Sequence, residues 1–190
     1  MEQIMKQEKI LVKTKNLNSA NTALLICDML NDFVKKGASL EVPAARDIIP
    51  GIKKEILSAR KSGIPVIYCC DAHIKNDPEF SLWPEHAVEG TEGACIVKEL
   101  APGKDDFLVT KKRYSCFYKT SLQKVLKQFG ATHLIITGVV TNICVLYTVC
   151  DAYMRGYAVT IPQNCVAALT KKDHVYALQQ MKRIFNAKIR

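Results

Sequence analysis

The sequence lacks the features that mark membrane, exported or low-complexity proteins. Nothing in its 190 residues approaches the ~18 consecutive apolar residues of a transmembrane helix. The N-terminal segment never builds the apolar core of a signal peptide, and no internal repeat is present. Apolar residues nevertheless make up 48% of the chain, enough for a full hydrophobic core. We therefore expect a cytoplasmic protein with one domain over residues 22–190, preceded by a polar N-terminal extension over residues 1–21.

Signatures of nucleic-acid binding are also missing. The 27 lysines and arginines exceed the 18 acidic residues and give a net charge of +9, and such a basic balance can serve nucleic acid. The lysines, however, are scattered in pairs, without an arginine-rich helix, an RNP-like strand or zinc-finger spacing. The charge is typical of a solvated surface, and we expect neither a nucleic-acid partner nor a membrane partner.

The eight cysteines form no CxxC pair and no framework of the kind found in small disulfide-rich domains. Without an export signal, we expect no disulfides. Cys27, Cys69 and Cys70 lie within apolar runs, where a free cysteine behaves as a small buried hydrophobe. A functional role for any one cysteine therefore has to rest on the chemistry around it.

From residue 22 onwards, short apolar runs alternate with helical patterns, which predicts a parallel sheet covered by helices on both faces. The expected strands are 22–27, 65–70, 106–110, 132–139 and 158–162, with a short edge strand at 187–189, and the expected helices are 44–62, 121–129, 143–155 and 171–185. The fold class that follows is α/β: a single-domain, three-layer α/β/α structure with a mostly parallel six-stranded sheet.

Three polar residues stand where predicted strands end. In such sheets the ligand lies beyond the carboxyl ends of the strands, and the carboxylate of Asp28, the amine of Lys111 and the thiol of Cys144 are all delivered to that edge. Taken singly, Asp28 is also a good helix cap and Lys111 an ordinary solvated lysine. The convergence of three reactive side chains from distant segments favours a site.

Cys144 has the strongest local argument for reactivity. Thr141 or Asn142 is a good N-cap, which predicts Cys144 in the first turn of the following helix. The free N–H groups and the dipole of that turn stabilise a thiolate, and a nearby lysine lowers the thiol pKa further. With a carboxylate to accept and return the proton, this is the equipment for attack on an amide carbonyl.

The segment 71–93 is too long for a routine connection. It contains Asp71, His73 and His86, with Glu79 between them. Mixed histidine and carboxylate ligands suit Zn²⁺, Mn²⁺ or Fe²⁺. The alternative is a set of polar loop residues that cap and hydrogen-bond.

At these residues the sequence resembles the isochorismatase-like cysteine hydrolases, and within them most closely the nicotinamidases. The resemblance covers residues 23–188 and rests on CDMLNDF (27–33), DAH (71–73), LWPEHAVEGTEG (82–93), KKRYSCF (111–117) and TGVVTNICVLYT (137–148). The last pattern is highly specific. The resemblance implies a Rossmann-type strand order and a homo-oligomer.

The resemblance assigns the catalytic triad to Asp28, Lys111 and Cys144, with Lys112 as a neighbouring competitor for the lysine position. It further implies a cis peptide between Val139 and Val140, and an oxyanion hole formed by the N–H groups of Val140 and Cys144.

The same resemblance implies one divalent transition metal (Zn, Mn or Fe) held by Asp71, His73 and His86, with Glu79 as an additional ligand. Three aromatic residues would form the walls of a pocket for a heteroaromatic ring: Phe33, Trp83 and Tyr114. For each of these, plain core packing is the alternative.

The implied activity is hydrolysis of a small carboxamide, nicotinamide, to nicotinate and ammonia through a thioester, as part of NAD salvage. Two alternatives remain open from the sequence. One is another hydrolase of the same family, either of isochorismatase type or an amidase for carbamoyl or ureido substrates. The other is a binding or redox module in which Cys144 is a sensor thiol.

Overall fold

Seven parallel strands form one sheet in the computed structural model, which describes residues 21–190. The strands are β1 (Thr22–Cys27), β2 (Val66–Asp71), β3 (Phe107–Lys111), β4 (His133–Val139), β5 (Ala158–Ile161), β6 (Val166–Ala167) and β7 (Lys188–Ile189). Their order is β3-β2-β1-β4-β5-β7, and β6 pairs with β4. The extension expected over residues 1–21 lies outside the described residues, apart from Asn21.

Five α-helices in the described part of the chain cover the sheet: α1 (Asn31–Val34), α2 (Ala45–Lys61), α3 (Leu122–Gln128), α4 (Leu146–Met154) and α5 (Lys171–Ile184). Strand β1 shows why both faces need cover, because its side chains alternate between two apolar clusters. Leu24 and Ile26 pack with α1 and α2 on one face. Ala23 and Leu25 pack with α3, α4 and α5 on the other. The layers are therefore helix, sheet, helix.

The predicted fold class and strand order are confirmed, with three local differences. The short helix α1 was not predicted. The sheet has a seventh strand, β6, whose two residues are too few to show a periodicity in the sequence. The helix expected over 143–155 is divided: residues Thr141–Val145 form a π-helical turn, and α4 begins at Leu146. Within the described part of the chain, no helix has the length and apolar character needed to cross a membrane.

Candidate active site

The sheet order brings three charged residues to one edge. Asp28 directly follows β1, while Asp71 and Lys111 are the last residues of the adjacent strands β2 and β3 and are register partners. Asp28 has a φ of +51°, a left-handed conformation that aspartate tolerates better than most residues. Its Oδ1 accepts a hydrogen bond from the backbone N–H of Asp71 at 2.8 Å. The first two strand ends are thus joined directly.

Lys111 lies at the centre of this group. Its Nζ is 2.8 Å from Asp28 Oδ2 and 2.7 Å from Asp71 Oδ1, and it lies 3.5 Å from the Cys144 sulfur. All four residues are buried. The ammonium group of Lys111 therefore pairs with two carboxylates and also lies close to the thiol. Lys112, the competing lysine, is exposed.

Cys144 reaches the group from the π-helical turn that follows β4. Its sulfur lies within 4.8 Å of a carboxylate oxygen of both Asp28 and Asp71. The predicted N-cap is wrong: neither Thr141 nor Asn142 caps a helix with its side chain. The Thr141 hydroxyl instead lies 3.1 Å from Nδ1 of the half-buried His174 on α5. The first turn of an α-helix therefore does not hold this cysteine.

The predicted activation of Cys144 at rest also needs correction. Burial raises the pKa of the Cys144 thiol well above its usual value, and the opposing effect of Lys111 is smaller. Burial, together with the charge of Asp71, raises the pKa of Asp28 to about 8, although Lys111 opposes the shift. Burial alone would lower the pKa of Lys111, but Asp28 and Asp71 raise it. Because burial disfavours the thiolate, the proton of Cys144 needs an acceptor, and an Asp28 carboxylate oxygen lies within 4.8 Å of the sulfur.

Gly138, the second-last residue of β4, shows why this strand end requires glycine. Its φ is +103°, and a Cβ at this position would lie 2.0 Å from the carbonyl oxygen of Cys27. The peptide bond between Val139 and Val140 is cis, as the resemblance implied. Val140 and Cys144 both line the adjoining cavity. Their assignment as the oxyanion hole stays a prediction.

Three of the four predicted metal ligands lie together. Asp71, His73 and His86 are buried and present ligand atoms within 4.8 Å of one another. Neither ring nitrogen of the fully buried His73 has a hydrogen-bond partner in the described chain, which is costly unless something else satisfies it. His86 Nδ1 lies 2.7 Å from the Pro84 carbonyl oxygen, so Nδ1 donates and Nε2 keeps its lone pair. The donor set fits a divalent transition metal.

Glu79, the fourth predicted ligand, is placed differently. It lines the same cavity as Asp71 and His86 but does not belong to the group within 4.8 Å. Its Oε2 lies 3.8 Å from the guanidinium of Arg113. Burial and the charge of Asp71 raise the pKa of Glu79. Its role as a ligand stays a prediction.

A small cavity, partly open to solvent, lies beside Cys144. Phe33, Trp83 and Tyr114 all line it, and the Trp83 indole N–H donates to the Tyr114 hydroxyl at 3.1 Å. Three aliphatic lining residues were missed by the sequence reasoning: Leu40, Ile143 and Leu169. Leu40 and Leu169 come from segments without a chemical signature, whereas Ile143 lies beside Cys144 within TGVVTNICVLYT. Only the folded chain brings the three together.

The loop that carries His86 is held by α1. The Asp32 carboxylate accepts a hydrogen bond from the backbone N–H of Ala87 at 2.8 Å, and the backbone N–H of Asp32 donates to Gly93 O at 3.0 Å. A Cβ on Gly93 would lie 2.0 Å from Asp32 Oδ2. Asp32 and Gly93 both belong to the sequence motifs, but their contact could not be read from them.

A comparison with protein families decides the assignment. The model of the isochorismatase domain matches residues 22–190, nearly the whole described chain. The chain belongs to the isochorismatase family. It is 33% identical over 91% of its length to an uncharacterized isochorismatase family protein of Bacillus subtilis, covering 95% of that protein. It is 35% identical over 86% of its length to a probable inactive nicotinamidase of Arabidopsis thaliana, covering 89% of it.

Solved structures of the isochorismatase family superimpose closely on the chain. An isochorismatase-like hydrolase from Alkaliphilus metalliredigens has a TM-score of 0.85 at 38% identity, covering 90% of this chain and 94% of that one. The nicotinamidase of Bacillus subtilis has a TM-score of 0.85 at 32% identity, with coverages of 89% and 98%. A pyrazinamidase of Pyrococcus horikoshii in complex with zinc has a TM-score of 0.84 at 31% identity, with coverages of 90% and 98%.

Isochorismatase-family relatives with a different named substrate are also similar. A ureidoacrylate amidohydrolase of Yersinia enterocolitica is 31% identical over 72% of this chain and 70% of that protein. The comparisons thus identify the chain as a hydrolase of the amidohydrolase type within this family. The substrate has to be inferred from the cavity itself.

Proposed function

We propose that the protein is a nicotinamidase, which hydrolyses nicotinamide to nicotinate and ammonia as part of NAD salvage. The observation that carries the proposal is the composition of the cavity beside Cys144. Aromatic walls, a sulfur nucleophile and nitrogen and oxygen metal ligands converge there. Flat aromatic faces suit a pyridine ring, and the carboxamide on that ring is the group that a cysteine nucleophile attacks.

Charge separates this substrate from those of the competing hydrolases. No lysine or arginine is found among the described residues that line the cavity, whereas Asp71 and Glu79 supply two carboxylates. Lys111 is buried and shared between Asp28 and Asp71. Ureidoacrylate and isochorismate carry carboxylate groups, for which the described lining offers no lysine or arginine partner. A neutral, planar carboxamide needs no such partner.

The triad supplies the proton transfers for the reaction. Cys144 Sγ attacks the amide carbon, and its proton passes to Asp28, whose raised pKa suits an acceptor of this kind. The N–H groups of Val140 and Cys144 donate to the oxyanion. Asp28 then returns the proton to the leaving nitrogen, the C–N bond breaks and ammonia departs. Attack of water on the thioester releases nicotinate and restores the thiol. Lys111 keeps the carboxylate and the sulfur adjacent.

Asp71, His73 and His86 would hold one divalent transition metal (Zn, Mn or Fe), and Glu79 is placed to assist from the cavity wall. When bound, the metal supplies a Lewis acid for the ring nitrogen of the substrate, which orients the carboxamide towards Cys144. The three ligands and Cys144 line or adjoin one cavity.

Ammonia release from nicotinamide tests the proposal. We expect release by the wild-type protein, loss of turnover in Cys144→Ala, and retention in Cys150→Ala, because Cys150 lies on α4 and does not line the cavity. A chelator is expected to reduce the rate, and added Zn²⁺, Mn²⁺ or Fe²⁺ to restore it. Unchanged turnover in Cys144→Ala, or none in the metal-loaded wild type, would contradict the proposal.

A further inference from the structure

A buried carboxylate outside the predicted ligand set lies behind the candidate metal site. Asp77 is four residues after His73, and its side chain is only 3% exposed. Its Oδ2 lies 3.3 Å from His73 Nδ1, although the contact does not meet the geometry of a hydrogen bond. His73 Nε2, on the other side of the ring, lies 3.8 Å from Asp71 Oδ1. The imidazole of His73 is thus placed between two carboxylates.

Arg113 anchors this carboxylate to the sheet. Its Nη1 donates to Asp77 Oδ1 and Oδ2 at 3.1 and 3.2 Å, and lies 3.8 Å from Glu79 Oε2. Arg113 is two residues beyond Lys111, the last residue of β3. The Asp77 carboxylate also accepts a hydrogen bond from the backbone N–H of Glu79 at 3.0 Å. One ion pair therefore connects the metal-binding loop to the strand that carries the triad lysine.

Both histidines have an oxygen opposite Nδ1, although only His86 is hydrogen-bonded to it. An acceptor faces Nδ1 in each: the Pro84 carbonyl oxygen for His86 and the Asp77 carboxylate for His73. An acceptor at Nδ1 places the proton there and leaves the lone pair on Nε2, which is how most metal-ligating histidines are held. Hydrogen bonds of this kind are often long before the ligand is bound.

We propose that Asp77 is a positioning residue for the metal ligand His73, and that Arg113 holds Asp77 and Glu79 in the required orientation. This inference rests on the proposed metal site. Asp77 acts by fixing the tautomer and the ring orientation of His73. Loss of such an outer-shell partner typically weakens metal binding 10- to 100-fold.

The affinity for Zn²⁺, measured by competition with a chromophoric chelator, tests the proposal without relying on activity. We expect Asp77→Asn to raise the Kd for Zn²⁺ about 10- to 100-fold, and Arg113→Ala to raise it as well. The matched control is Asp106→Asn. It breaks a second arginine–aspartate pair, Arg60–Asp106, which is exposed to a similar extent. The side-chain exposures are 38% for Arg60 and 5% for Asp106, against 42% for Arg113 and 3% for Asp77.

Each outcome decides the matter. A raised Kd for Zn²⁺ in Asp77→Asn supports the proposal, provided that the Kd of Asp106→Asn is unchanged and circular dichroism shows both variants to be folded. An unchanged Kd in Asp77→Asn overturns the positioning role and leaves the metal site intact. Equal weakening in Asp106→Asn overturns it too, because the loss would then come from general destabilisation. If the wild type binds no Zn²⁺, Mn²⁺ or Fe²⁺, the proposed metal site fails, and this inference fails with it.

Discussion

Replacing Lys111 with methionine tests the charge arrangement of the site most sharply. Methionine keeps an unbranched side chain but removes the ammonium group, which lies 2.8 Å from Asp28 and 2.7 Å from Asp71. These carboxylates are only 1% and 4% exposed. Removing one partner of a buried ion pair costs about 3–5 kcal/mol. We expect a loss of this size in the free energy of unfolding at about pH 9, above the pKa of Asp28.

The sign of the pH dependence follows from Asp28. Its pKa is raised to about 8 in the folded protein, well above the value of ~3.9 for an unfolded chain. Between these values the folded state binds more protons, so the contribution of Asp28 to stability is fully present below the unfolded pKa and is lost as pH rises through 8. Without Lys111 that pKa rises further. The loss in Lys111→Met should therefore be smaller at pH 6 than at pH 9.

Urea unfolding of chelator-treated protein at both pH values measures the effect. The exposed neighbour gives the control: Lys112→Met should change the free energy of unfolding by less than about 0.5 kcal/mol. A loss below about 1 kcal/mol in Lys111→Met at pH 9, or an equal loss in Lys112→Met, would refute the reasoning. The same pair of variants decides which lysine serves catalysis, because only Lys111→Met should lose nicotinamide hydrolysis.

Two further predictions concern the strand end and the cavity wall. In thermal unfolding, Gly138→Ala should destabilise the protein by about 2 kcal/mol more than Gly156→Ala. Both glycines have a positive φ, but only a Cβ at Gly138 would meet a backbone atom, the carbonyl oxygen of Cys27 at 2.0 Å. Equal losses of stability in the two variants would contradict this. Trp83→Leu should raise the KM for nicotinamide about three- to tenfold, because the substrate ring loses an aromatic contact that contributes about 1 kcal/mol to binding. The control Leu82→Ala should leave the KM unchanged, because Leu82 is 70% exposed.

Much of the fold could be predicted because its signals are local. The apolar run over residues 22–27 is buried on both faces and forms β1 with the expected bounds. Strand β6 could not be predicted in this way, because its two residues pair with β4 only after the chain has turned through a short 3₁₀ segment. The division of the helix after residue 140 likewise depends on packing, since the Thr141 hydroxyl bonds His174 on α5.

The strand-end rule brought the candidate triad together from residues more than 30 positions apart, because parallel strands deliver their carboxyl ends to one edge. It could not find Asp77, Arg113 or Asp32. Their roles depend on the path of the long loop after β2, where a side chain meets a partner 36 or 55 residues away in the sequence. The sequence pattern likewise predicted an activated Cys144, because it shows the neighbouring charge but not the extent of burial.

The ratio of kcat/KM for nicotinamide to that for ureidoacrylate tests the central claim most directly. The cavity wall carries two carboxylates and, among its described residues, no lysine or arginine. Because the described lining offers aromatic faces to a planar ring and no cationic partner to a substrate carboxylate, we expect nicotinamide to be preferred at least about 100-fold by the zinc-loaded wild-type protein. Equal kcat/KM values for the two substrates, or a higher value for ureidoacrylate, would contradict the account.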